Sequence, residues 1–230
     1  MLVKKWMSRQ IISVSPKDAM QDAIRTLKEH NIHLLPVLEN DTLVGIISDG
    51  DLKKASPSDA TSLDIHELVY LTSKIRIRDL MTQTVFTVPS DATIEEAAQI
   101  LLNKKIHGLP VLDAANRVVG VITRSDIFRV LITITAEGKR GIQLAIRLPD
   151  IPGPLKEIRQ IVRDFDARIA SILSSTEGVA DDFINVYLRI YQLDRSRLEE
   201  MLEAIKPIGT LLYMVDHRDD KRTIYETGIA

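Results

Sequence analysis

The sequence predicts an α+β chain built from two tandem β-α-β-β-α repeats and a third unit of β-α-β-β-α-β order. Three observations carry this expectation: an internal repeat at an offset of 74 residues, helix-period apolar spacing inside each copy, and a switch to strand alternation from Gly141 onward. The expected boundaries are a first repeat at 1–56, a linker with a short helix at 57–74, a second repeat at 75–138, a third unit at 139–217 and a tail at 218–230.

The repeat is read residue against residue. Met7 matches Met81, Val14 matches Val88, Ala23 matches Ala97 and Leu27 matches Leu101. In the same register Ile32-His33 falls on Ile106-His107, and Leu35-Pro36-Val37-Leu38 falls on Leu109-Pro110-Val111-Leu112. After one inserted residue, Val44-Gly45 aligns with Val119-Gly120 and Asp51 with Asp126. Met20, Ala23, Ile24 and Leu27 recur at i, i+3, i+4 and i+7, as do Ile94, Ala97, Ala98 and Leu101, so each copy has an amphipathic helix. Two β-rich runs follow it, Leu35–Leu38 then Leu43–Ile47 in the first copy and Leu109–Leu112 then Val118–Ile122 in the second, and a further helix follows each pair. A unit of this size buries only one face of its sheet, so the copies are expected to pack into one domain. Between them Ser56 to Ser62 is turn-rich, and Ile65, Leu68, Val69 and Leu71 have the spacing of a short helix.

In the third unit Ile142, Leu144, Ile146 and Leu148 alternate with Gln143, Ala145 and Arg147, as in a half-buried strand. Asp150-Ile151-Pro152-Gly153-Pro154 makes a turn, and Leu155, Ile158, Ile161, Val162 and Phe165 form the apolar face of a helix that Pro154 opens. Arg168–Ser174 and Phe183–Tyr191 read as strands, Leu198, Met201, Leu202 and Ile205 as a helix, and Leu211–Val215 as a closing strand. This is the ferredoxin-like order, which unrelated functions share. The tail is charged and aperiodic and is expected to fray or to dock weakly, with Ile224 and Tyr225 as its candidate anchors.

Composition narrows the function. Among 230 residues there is no cysteine, which removes disulfides, thiolate nucleophiles and Cys-ligated metal sites and suits a reducing cytosol. Thirty basic and 32 acidic residues are mixed along the chain for a net charge of −2, so no basic stripe for nucleic acid is expected. The most apolar run, Ile127–Thr135, is interrupted by Arg129 and is far short of a bilayer span, and the stretch after Lys4, Lys5 and Arg9 lacks the apolar core of a secretory signal. The expectation is a cytoplasmic protein without membrane contact. There is no phosphate-binding Gly-rich loop, no His-Glu-x-x-His and no Gly-x-Ser-x-Gly; only His30 and His33 approach metal-ligand spacing, where a helix is ending.

The chemistry-bearing pattern is Gly45-Ile46-Ile47-Ser48-Asp49-Gly50-Asp51, repeated as Gly120-Val121-Ile122-Thr123-Arg124-Ser125-Asp126. A hydroxyl precedes an acid by three. One reading is a cap, with Ser48 or Thr123 at the helix entry and the acid in its first turn. The other uses the same atoms for a ligand, since a helix N-terminus offers N–H groups to phosphate and a carboxylate accepts from ribose hydroxyls. The two readings are compatible. The matched sites differ in charge, with Asp49 beside Ser48 and Arg124 beside Thr123.

This doubled pattern, the Leu-Pro-Val-Leu strands and the Met-Ser and Met-Thr openings at Met7 and Met81 resemble a pair of CBS domains, a Bateman module, over roughly Met1 to Thr135. The resemblance implies clefts for adenosine-containing ligands: AMP, ADP, ATP, S-adenosylmethionine or, in some members, NAD. It places Asp51 and Asp126 on ribose, Ser48 and Thr123 near ribose or phosphate, the strands at Pro36 and Pro110 beside the base, and His33 and His107 facing the ligand or exposed at the edge. Arg124 would favour a phosphorylated ligand at the second site. The Asp-x-Pro-Gly-x-Leu turn of Asp150, Pro152, Gly153 and Leu155 resembles the ACT domain over Gly141 to Asp216. That likeness implies an amino acid held by Asp150 and the Gly153 N–H; alternatively Gly153 only permits an unusual backbone angle. A CBS pair followed by an ACT domain is similar to the acetoin-utilisation AcuB family. The whole then reads as a non-catalytic, homodimeric regulator acting on an unknown target protein, with no catalytic cofactor and no metal. The rival readings are a dimerisation scaffold without ligand and a nucleotide-processing enzyme.

Overall fold

The computed structural model describes residues 1–55 and 74–225, and the helix expected at Ile65–Leu71 lies outside them. The chain divides into two units, Met1–Phe128 and Arg129–Ala230.

In the first repeat helix α1 (Met20–His30) buries Met20, Ala23 and Leu27, the positions its period predicts, and ends at Asn31 in a left-handed conformation. Strands β1 (Leu34–Glu39) and β2 (Thr42–Ser48) form an antiparallel hairpin over Asn40 and Asp41, both at positive φ. Helix α2 (Asp49–Ala55) follows without a loop. The second repeat is opened by the short helix α3 (Ile77–Leu80) and strand β3 (Val88–Pro89). It continues through α4 (Ile94–Asn103), β4 (Gly108–Leu112) and β5 (Val118–Thr123) into α5 (Arg124–Ile134), which runs past the division between the units. Even the register irregularity of the first hairpin, after Val37, recurs in the second after Val111.

The strand that opens each repeat is reduced to a bridge in the first copy and to two residues in the second. Val14 makes one parallel bridge to Val37, whereas Val88–Pro89 pair with Val111 and Leu112, and Ser90 N–H then donates to Leu112 O at 2.9 Å. The residue in the first repeat that matches Ser90 is Pro16, which has no N–H to continue the ladder.

Each repeat is completed by the opening residues of the other. Val3 N–H donates to Ala92 O at 2.9 Å, and its counterpart Ile77 N–H donates to Asp18 O at 3.0 Å. Ser8 exchanges backbone hydrogen bonds with Val121 at 2.9 and 3.0 Å, and Thr82 does the same with Ile46. Val3 and Ile77 are fully buried, and Ile75, Ile77, Leu80 and Met81 belong to the core of the first repeat. The exchange explains the paired glycines. A Cβ at Gly45 would lie 2.5 Å from Met81 Sδ, and one at Gly120 would lie 2.5 Å from Ser8 O.

The second unit is a sheet of order β10-β9-β6-β8-β7, where β6 is Ile142–Pro149, β7 Arg168–Ser175, β8 Phe183–Tyr191, β9 Thr210–Asp216 and β10 Lys221–Ile224. Helices α6 (Pro154–Asp164) and α7 (Leu198–Ile205) pack on one face, with Ile142, Leu144, Ile146 and Leu148 against Ile158, Val162, Met201 and Ile205. The strand–helix–strand–strand–helix–strand order is the one read from periodicity. The described part of the tail docks as a strand: Lys221–Ile224 pairs with β9, and Tyr225 N–H donates to Leu212 O at 2.9 Å. Its anchor is the free edge of β9, whose backbone groups need partners, while the Ile224 side chain is 69% exposed.

Asp216, 3% exposed, accepts from Arg195 Nε at 3.0 Å and Nη2 at 3.2 Å. Burial pushes its carboxyl up, but Arg195 and the Arg218 N–H outweigh that and hold it below the usual value. The depressed pKa contributes stability above about pH 4, lost as pH falls through the folded value. Asp216→Asn should therefore destabilise the protein at neutral pH and lose that effect progressively below about pH 4, as read by urea unfolding across a pH series. Gly120→Ala should cost about 1–3 kcal/mol, more than Gly45→Ala, because a backbone oxygen yields less readily than a methionine tip; denaturant midpoints of the two variants check the order.

Candidate functional site

At the end of β2 the chain enters α2 through Ser48, and at the end of β5 it enters α5 through Thr123. In both places the carboxylate three residues on turns back. Asp51 Oδ2 accepts from Ser48 N–H at 3.0 Å and from Ser48 Oγ at 2.6 Å, while Asp51 N–H faces Ser48 Oγ at 3.3 Å. Asp126 Oδ2 accepts from Thr123 N–H at 2.8 Å and from Thr123 Oγ1 at 2.7 Å, while Asp126 N–H faces Thr123 Oγ1 at 3.4 Å. The capping reading is thus realised at both sites. Each box uses one carboxylate oxygen, and a carboxylate has about four lone-pair directions.

The same helix entries gather other expected residues. Asp49 N–H donates to His33 O at 3.0 Å and Arg124 N–H to His107 O at 3.1 Å, so the residue leading each first hairpin strand is tied to the start of the helix. The His33 and His107 side chains are exposed. Pro36 and Pro110 are buried, paired with Ile46 and Val121.

The two sites differ in burial and charge. Asp126 is 6% exposed, and Asp51 is half-buried. Asp49 Oδ2 lies 3.5 Å from His33 Nδ1 and 3.7 Å from Lys53 Nζ, so a lysine and an imidazole form a set around its charge. Sequence reading missed that set, although the i,i+4 spacing of Asp49 and Lys53 is a signal for it. A cavity of about 490 Å³ lies beside this ion pair, lined by His33, Asp49 and Lys53 with Ile24, Leu27 and Leu52; Ser48 and Asp51 do not line it.

In the second unit Asp150 is exposed and its N–H donates to Asp182 O at 2.9 Å. Gly153 has φ 126°, a conformation that favours glycine, and Pro154 opens α6 directly after it. The backbone reading of this turn is met without a ligand. Among the described residues no group of three or more His, Asp or Glu side chains is placed to hold a metal, and no helix is long and apolar enough to cross a membrane.

Two strand–strand–helix repeats that complete each other's cores and end in the same hydroxyl–carboxylate box define a tandem-repeat module of paired, matched sites. The family model of the CBS domain matches residues 3–58 and 77–133. A CBS domain-containing protein of Dictyostelium discoideum is 32% identical over 58% of this chain and 92% of its own length. This chain belongs to the CBS-domain proteins, with two domains in tandem. The crystal structure of the CBS-pair protein CBSX2 from Arabidopsis thaliana superposes with a TM-score of 0.52 at 31% identity, over 59% of this chain and 96% of that one. A complex of CBSX2 with AMP matches 58% of this chain and 97% of that chain at 34% identity and a TM-score of 0.48. The inosine-5'-monophosphate dehydrogenase of Korarchaeum cryptofilum is 31% identical over 62% of this chain, and the match spans 28% of that enzyme.

Removing a box should be costly in the order of burial. Asp126→Ala leaves Thr123 N–H without its acceptor and should cost about 1–3 kcal/mol; Asp51→Ala, at the more open site, should cost about 1 kcal/mol. Equal denaturant midpoints for the two variants would contradict this ranking.

Proposed function

We propose that this chain is a non-catalytic regulatory protein whose CBS pair binds adenosine-containing ligands. The observation that carries the reading is the twofold placement of a carboxylate at a helix entry, held by the same three contacts in both repeats. In the box the carboxylate is oriented in advance, so ribose hydroxyls meet an acceptor whose rotamer is already fixed, which lowers the ordering cost of binding. Ser48 and Thr123 stand beside it for ribose or phosphate, Pro36 and Pro110 flank the base, and His33 and His107 face the ligand. The ligand class follows the AMP held by the Arabidopsis relative, and S-adenosylmethionine or ATP has the same ribose.

The two sites have different preferences in this reading. The Arg124 side chain has no hydrogen bond or ion pair among the described residues and stands in the first turn of the eleven-residue α5, so the Thr123–Asp126 site favours a phosphorylated nucleotide. Asp49, with Lys53 beside it, leaves the Ser48–Asp51 entry less cationic than the Arg124 one, which suits a less anionic adenosyl ligand there. In the second unit, an ACT-like domain of the AcuB type, Asp150 and the Gly153 N–H take a small amino acid, and the protein acts as a cytoplasmic homodimer on a target protein.

Thermal unfolding of the whole chain with AMP, ADP, ATP and S-adenosylmethionine tests the reading. A ligand at 100 times its Kd stabilises by about 2.7 kcal/mol, and Asp126→Asn, which keeps an oxygen for the cap, should weaken ATP more than Asp51→Asn does. No shift with any adenosyl ligand would leave a scaffold, and nucleotide turnover abolished by Asp126→Asn would make the protein an enzyme; either result overturns the proposal.

A further inference from the structure

The sheet of the second unit has a face that the helices do not cover. Leu188 and Ile190 of β8 belong to the core, so the alternation of the strand places Arg189 on the opposite face, across from Gln143 of β6 and Ser171 of β7. Arg189 is nevertheless 5% exposed. Its Nη2 donates to Gln143 Oε1 at 3.3 Å, but Nε and Nη1 have no hydrogen-bond partner among the described residues. A guanidinium carries five N–H donors and stays charged at any physiological pH. A buried cation with most of those donors idle is costly, because it has lost water and gained little in exchange.

The surroundings are polar and convergent. Gln143 Nε2 donates to the Tyr213 hydroxyl at 3.3 Å, which leaves the phenol its own proton to donate. His217 Nε2 lies 3.4 Å from Gln143 Oε1. Burial lowers the Arg189 pKa and raises that of Tyr213, so the phenol remains a donor. Glu137, exposed on the turn before β6, acts on Arg189 through space without an ion pair.

We infer that Arg189, with the Tyr213 hydroxyl beside it, is the binding site of a carboxylate monoanion on this sheet face. The planar guanidinium matches a carboxylate in shape, and one uncompensated cation matches one negative charge. The site is separate from the Asp150–Gly153 turn: Gln143 stands at the start of β6 and Asp150 follows its end. It is independent of the adenosyl reading.

The test uses the full chain with acetate as the probe against equimolar chloride. Acetate at about 50 mM should raise the wild-type Tm by about 2 °C or more. Arg189→Met, which replaces the idle cation by an apolar chain of similar length, should raise the Tm in chloride and abolish the acetate response. A wild type indifferent to acetate, or an Arg189→Met variant that responds as the wild type does, overturns the inference. If that variant does not fold, the Arg189 Nε–H resonance of the wild type decides: a saturable one-to-one shift on acetate titration supports the site, and an unmoved resonance overturns it.

Discussion

The hydrogen bond from a strand-end backbone N–H to a carboxylate three residues on, at Ser48–Asp51 and again at Thr123–Asp126, is the contact on which the candidate site depends. It ends the strand and starts the helix within four residues, so the hairpin and the helix that follows share a corner with no loop to loosen it. It also fixes the carboxylate in one rotamer. A cap and a ligand grip are usually weighed as rival explanations of such a residue. On the proposed function the first prepares the second, because an oxygen committed to the helix entry orients its carboxylate before anything binds.

The second unit handles its charges in two contrasting ways. Asp216 and Arg195 satisfy each other, and the result is a carboxylate ionised despite its burial. Arg189 is as deeply placed and has one weak acceptor among the described residues. Stability alone would favour the first arrangement throughout, so the second is where a binding function is best sought.

Much of this was legible in the sequence because it is local. The helix faces of α1 and α4, the hairpin strands and the hydroxyl–carboxylate spacing all depend on residues within a few positions of one another, and the 74-residue register shows each of them twice. The order of the second unit followed from the alternation at Ile142–Leu148 and the period at Leu155–Phe165. The shortness of the first strand was present in Pro16, opposite Ser90 in the repeat register, but acquires meaning only once a ladder exists for the missing N–H to interrupt. Three features could not be read. The exchange of opening segments joins residues such as Ser8 and Val121 that no local period relates. The pairing of Lys221–Ile224 depends on an edge left open by other strands. The burial of Arg189 lies on a face whose strand pattern, Gln143, Ala145, Arg147, reads as solvent-facing.

The reciprocal seating of residues 1–8 and 75–82 has a consequence for how such a chain arises. A single repeat of this kind leaves its own sheet edge, at Gly45 or Gly120, without the segment that completes it. Two separate copies would satisfy both edges by lending each other their leading arms, as in a swapped dimer. Joining those copies end to end turns an association that depends on protein concentration into one that does not, and frees each half to diverge, as Asp49 and Arg124 have.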